Sequence, residues 1–173
     1  MAPPPSEAAP RARLIDARLR QAGWSSISPY SPQQQTDLVA FTEFPTANGP
    51  ADYVLFHQGE PLAVVEAKKL AVGPQNVLQQ AQRYAHALEP SPFDFGGYRV
   101  PFVYSTNGER IFFQDLRSPH SRSREVRRFH TPAALRELLG QDWAATTAAL
   151  RATPIDHPAL RPYQREAIAA VEQ

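Results

Sequence analysis

The sequence predicts a mixed α/β fold, α+β in its detail, with a central mixed β-sheet flanked by helices. Three observations carry that expectation. Short apolar runs of strand length (LVAFTEF, VPFVYST and RIFFQDL) are separated by turn-forming residues. Between and around them lie segments whose apolar residues recur every three or four positions, the period of a helix. The chain has 173 residues, 42% of them apolar, which is enough for one domain with a core and too few for two large ones.

Along the chain, a proline-rich start leads into a helix over 7–22, with Leu14, Ile15 and Leu19 on one face, Ser6 as its cap and Gly23 as its stop. SSISPYSPQQQ reads as turns, 38–44 as a strand, and PTANGPA (45–51) as a loop. Strands follow at 52–56 and 61–68. Pro74 suits the first turn of a helix that continues to Glu89, with an apolar stripe of Val77, Ala81, Tyr84 and Leu88. After the loop PSPFDFGG comes a strand at 100–106, a tight turn at Asn107-Gly108, and a partner strand at 110–116. Thr131 caps and Pro132 opens the helix TPAALRELLG; WAATTAAL is helical, and HPALRPYQREAIAAVEQ begins another helix.

Composition excludes several classes. There is no cysteine, hence no disulfide and no thiolate metal site, which favours a reducing compartment. No apolar run approaches the roughly 20 residues that span a bilayer, and no signal-peptide layout opens the chain. A soluble, cytoplasmic protein with no membrane partner is expected. The net charge of +1 hides an asymmetry, with nine Lys/Arg against eleven Asp/Glu up to residue 115 and nine against six beyond it. RSPHSRSREVRR (117–128) supplies most of the excess, and composition alone reads it as a solvated loop rather than a phosphate-binding run. The histidines at 57, 86, 120, 130 and 157 have no metal-ligand spacing, and there is no glycine-rich phosphate loop.

ADYVLFHQGEPLAVVEAKK (51–69) poses the functional question. It reads as a buried hairpin, yet Asp52, Glu66 and Lys68 stand at the ends of its strands. If Gln58-Gly59-Glu60 is a three-residue turn, His57 faces Pro61 and Asp52 falls opposite Glu66. A slip of one residue would put Asp52 on the other face. Two opposed carboxylates repel, so their convergence makes sense around a cation. Mg²⁺ takes oxygen ligands and keeps several waters, and it can acidify a water for attack on phosphorus. Lys68, on the face of Glu66, could orient that water, and the Ala67 carbonyl could add a ligand.

Asp52, a hairpin, and then Glu66-Ala67-Lys68 resembles the PD-(D/E)xK nuclease motif, with Pro50-Ala51-Asp52 as its first half. Gln80 and Tyr84, neighbours on one helix face, match the QxxxY element that accompanies it in some nuclease families. LIDARLRQAGW, NGPADYVLF, PLAVVEAKK, QQAQRYA and PFVYSTNG follow the order seen in the N-terminal region of type I restriction enzyme R (motor and cleavage) subunits. The resemblance runs from about Ser6 to the end. It implies a restriction-endonuclease-like core and Mg²⁺-dependent, sequence-independent cleavage of double-stranded DNA. Asp52 and Glu66 (with Ala67) would be at the metal, Lys68 at the water, and Gln80 and Tyr84 at the DNA backbone. An acid from the first helix, Glu7, would complete the site, with Glu43 as its competitor. LRPYQREAI resembles the start of a superfamily 2 helicase domain, in which Gln164 would contact adenine. The resemblance thus divides the chain into a flexible 1–6, a nuclease domain 7–145, and a linker with the start of a motor domain at 146–173. ATP would be used only in a full-length protein, working with modification (methyltransferase) and specificity subunits. The rival expectations are a catalytically inactive nuclease-like module that docks DNA or partner subunits, and the nuclease part of another ATP-dependent defence system.

Overall fold

The computed structural model describes residues 8–67, 74–118, 120–152 and 158–171. The chain divides into two compact units, Met1–Leu138 and Leu139–Gln173.

The first unit is built on a seven-stranded mixed sheet in chain order. Its strands are β1 (Ser26–Pro29), β2 (Val39–Thr46), β3 (Gly49–His57), β4 (Glu60–Ala67), β5 (Phe102–Thr106), β6 (Ile111–Asp115) and β7 (Arg124–Val126). β1 runs parallel to β2 and β4 parallel to β5, while every other pairing is antiparallel. The expected mixed sheet with flanking helices is therefore present.

The helices α1 (Ala8–Gln21), α2 (Pro74–Ala87) and α3 (Pro132–Gly140) form where caps and apolar spacing place them. α1 stops at Gly23, whose φ of 91° suits a residue without Cβ. The N–H groups of Gly23 and Trp24 donate to the carbonyls of Arg20 and Leu19, a Schellman closure, with Leu19 and Trp24 both fully buried. Thr131 caps α3 through its Oγ1, which accepts from Ala134 N at 3.1 Å. α2 buries Leu78, Ala81 and Ala85, and Leu88 just past its end is buried as well, whereas Tyr84 is only partly covered. The expected stripe is thus rotated toward Leu78 and Ala85, and Val77 has no described side chain.

β4 is a central strand, as its two apolar faces suggest: every residue from Pro61 to Glu66 is buried. Val54, Val64 and Val103 lie side by side across β3, β4 and β5 and pack under α2. Tyr53, Val65 and Tyr104 line the opposite face, where Tyr53 donates to Asp16 of α1 at 3.0 Å. Each such fully buried aliphatic side chain contributes about 1.5–3 kcal/mol.

Several expectations change. Residues 45–51 are not a loop: β2 and β3 extend through them to a turn at Ala47-Asn48, and Pro45 opposes Pro50, two residues with no N–H to offer a ladder. Residues 26–29 form an edge strand rather than turns. Part of the basic run also becomes an edge strand, β7. Between β5 and β6 the loop takes four residues, Asn107–Arg110, with Thr106 paired to Ile111. The β3–β4 turn has two residues rather than three, since His57 pairs with Glu60 and both Gln58 and Gly59 have positive φ (55° and 81°). A bulge then leaves Leu62 over between Phe56↔Pro61 and Leu55↔Ala63. The bulge matters: the short turn alone would pair Asp52 with Val65 and send Glu66 to the other face.

The second unit holds the helix α4 (Trp143–Ala152), capped by Asp142 Oδ1 accepting from Ala145 N, and the helix α5 (Pro162–Val171). No helix among the described residues is long and apolar enough to cross a membrane.

Candidate active site

The register Val54↔Val64, Tyr53↔Val65, carried one residue further, sets Asp52 across from Glu66. A direct contact agrees with it: Ala67 N donates to Asp52 Oδ2 at 2.6 Å. An ionised carboxylate can still accept further bonds at its two oxygens. Glu66 is only 3% exposed, and a carboxylate so deep in a protein requires compensation by charge and hydrogen bonds. On its other side Glu66 pairs with Ser105 of β5, itself buried. Asp52, Glu66 and Ser105 therefore form a row one step beyond the Val54–Val64–Val103 row, on the face that α2 covers.

α2 brings its own polar pair to that face. Gln80 Nε2 donates to Tyr84 Oη at 2.9 Å, so the four-residue spacing does become a contact. Tyr84 also packs against the apolar cluster that includes Val54 and Val64.

Glu43 lies between the pairs Thr42↔Tyr53 and Phe44↔Ala51, the register position opposite Asp52. Its φ of 52° departs from strand geometry, and its side chain is exposed. Lys68 and Glu7 lie outside the described residues. Gln164 accepts from Arg161 N at 2.9 Å through its Oε1, closing the first turn of α5. Sequence reasoning passed over Ser105 as a mere strand end. Only the parallel pairing of β4 with β5, which no local pattern reveals, puts it next to Glu66.

Among the described residues, no three His, Cys, Asp or Glu side chains group closely enough to hold a metal. Asp52 and Glu66 are the two described carboxylates that the strand register sets opposite each other. That suits Mg²⁺ or Mn²⁺, which bind through one or two carboxylates and keep waters, and it does not suit a cation needing an all-protein cage. The basic run is partly committed elsewhere. Arg117 pairs with Asp115 at 2.7 Å and lies over the Phe102 ring, and Arg124 lies over Phe113.

The first unit is thus an α+β domain with two carboxylates set opposite each other by the register of a central strand. The family model for the "type I restriction enzyme EcoKI endonuclease subunit second domain" matches residues 28–139, well over half of the chain, and the chain belongs to that family. It is 29% identical over 212 aligned positions to the type I restriction enzyme EcoKI endonuclease subunit of Escherichia coli K12, covering 92% of this chain and 18% of that protein. It is 41% identical over 66 residues to the EcoAI endonuclease subunit of Escherichia coli, covering 38% of this chain and 7% of the relative. The chain therefore spans less than a fifth of either curated relative. Among solved structures, a fragment assigned to an HsdR subunit of a type I restriction enzyme from Vibrio vulnificus YJ016 matches with a TM-score of 0.55 and 26% identity, over 95% of this chain and 32% of that one. The resemblance to type I restriction R subunits read from the sequence is upheld.

Proposed function

We propose that this chain is a DNA-cleaving domain of a type I restriction R subunit, with a PD-(D/E)xK-type site that hydrolyses phosphodiester bonds with Mg²⁺. The observation that carries the reading is the meeting of Asp52 and Glu66 across β3 and β4, under the helix that bears the Gln80–Tyr84 pair. The printed names of the relatives, endonuclease subunits of restriction enzymes, support the substrate class.

Asp52 and Glu66 would hold the cation. Bound there, the ion would supply an acidified water and neutralise charge developing on the phosphate. The Ala67 N–H bond fixes the Asp52 carboxylate against β4, and the buried flanks of β4 fix Glu66, so the pair is ordered before any ion arrives. Lys68, two residues on from Glu66, would orient the attacking water, and the Ala67 carbonyl would add a ligand. Gln80 and Tyr84, tied to each other, would bear on the DNA backbone. The third acid is Glu7 or Glu43; Glu43 stands at the register position opposite Asp52 but does not group with Asp52 and Glu66. In a full-length subunit, double-stranded DNA would be selected by modification and specificity subunits and delivered by an ATP-driven motor, with Gln164 near its adenine.

Calorimetric titration of Mn²⁺ or Mg²⁺ into the wild type, Asp52→Ala and Glu66→Ala tests this, with circular dichroism to confirm folding. Saturable binding in the wild type, lost in both folded variants, is the expected result. Equal binding by all three, with a DNA duplex present, would make the carboxylates structural and leave a docking module as the function.

A further inference from the structure

A second polar feature lies away from the acidic row. Arg18 and Gln21 on the last turns of α1, with Arg127 and Arg128 just past β7, surround a cavity of about 280 Å³ floored by Ala22. Among the described residues, no carboxylate lines it. Four other arginines of the same unit, by contrast, face acids. Arg99 faces Glu89 and Asp94, Arg110 faces Glu125, Arg117 faces Asp115, and Arg136 faces Glu60. Arg127 and Arg128 are exposed and bonded to no acid among the described residues.

The cleft is also prepared for an anion. Arg18 donates from Nη1 to the carbonyl of Glu109 at 2.7 Å, which holds its guanidinium without cancelling its charge. A helix C-terminus ordinarily repels anions through its open carbonyls. Here the carbonyls of Arg18, Leu19 and Arg20 already accept from Ala22, Trp24 and Gly23, so three of the four carbonyls of that last turn are occupied. Three guanidiniums, which only donate, and the NH2 of one amide match the oxygens of phosphodiesters, for which arginine's planar fork is well shaped.

We propose that this cleft is an anchor for the DNA backbone, separate from the cleavage centre. α1 packs on the Tyr53 face of the sheet, whereas Asp52 and Glu66 belong to the α2 face. The anchor therefore contributes affinity and not chemistry, and it reads phosphates rather than bases. The choice of DNA as its occupant rests on the proposed function.

The test is fluorescence anisotropy of a labelled DNA duplex over a salt series, without divalent metal. It compares the wild type, Arg127→Gln/Arg128→Gln, and Arg99→Gln as a control whose arginine is acid-paired. Thermal melts confirm that all three fold. The double variant is expected to bind more weakly, with a log–log salt slope shallower by about two, one counterion step per lost phosphate contact. The control should keep the wild-type slope. A wild type without salt-dependent binding, or a double variant with the wild-type slope, overturns the anchor. Metal calorimetry on the same proteins separates the two readings. An unchanged slope with intact metal binding removes only the cleft, and absent metal binding with a shallower slope removes only the cleavage site.

Discussion

Glu66 and His130 show how burial sets what a single residue can do. At 3% exposure Glu66 sits where a side chain of its size is normally apolar, and its cost is accepted at a place where Asp52 also converges. His130 is a structural counterpart on the other face. Its Nδ1 lies 2.7 Å from the hydroxyl of Tyr104, a phenol that burial keeps protonated far above its usual range. Its backbone carbonyl accepts from Trp24 Nε1. Burial, and then the nearby charge of Arg124, lower the His130 pKa from 6.5. The unfolded chain therefore takes up a proton that the folded one resists. The resulting stability is complete above pH 6.5 and is lost as the pH falls from there through the folded-state pKa. Thermal melts on either side of that value should show a larger acid-side loss for the wild type than for His130→Gln, and equal losses would remove His130 from the account.

At the scale of elements, the end of α1 gives a simple expectation. A Cβ on Gly23 would meet Pro132 Cδ at 3.6 Å, an ordinary contact, so space is not the obstacle. The obstacle is the φ of 91°. Gly23→Ala should cost about 1–3 kcal/mol from that backbone conformation alone, measurable by urea denaturation with an unchanged m-value. Gly23 was legible in the sequence, as were the caps of α3 and the apolar core strands, because each depends on residues a few positions apart. β1 and β7 were not. With four and three residues, mostly half-covered or exposed, they carry no alternation of their own and become strands only because β2 and β6 offer open edges. The opposition of Asp52 and Glu66 was read correctly from a turn that does not exist: the true turn is a residue shorter, and the Leu62 bulge makes up the difference. Ser105 and the register position of Glu43 depend on strand order, which no local spacing encodes.

For the whole molecule, a net charge of +1 says little, because its arginines are spent unevenly. Four face carboxylates within the first unit, and three others, Arg18, Arg127 and Arg128, line the α1 cleft. Asp52, Glu66, Gln80 and Tyr84 all precede Leu138, so the proposed site is carried by the first unit. A chain ending at Gly140, which keeps the whole of α3, should retain the divalent-metal isotherm of the full chain. Calorimetry on the shortened protein checks this, and a folded product without the isotherm would show that residues beyond 140 supply part of the binding.

The Leu62 bulge also gives the hairpin slack. Because the strand pairs from Leu55↔Ala63 onward are set independently of the tip, removing Leu62 would simply straighten the ladder, and adding a residue at Gln58-Gly59 would enlarge the turn. Either change leaves the two acids facing each other. Length variation is thus absorbed at the far end of the hairpin, and the spacing that matters is insulated from it.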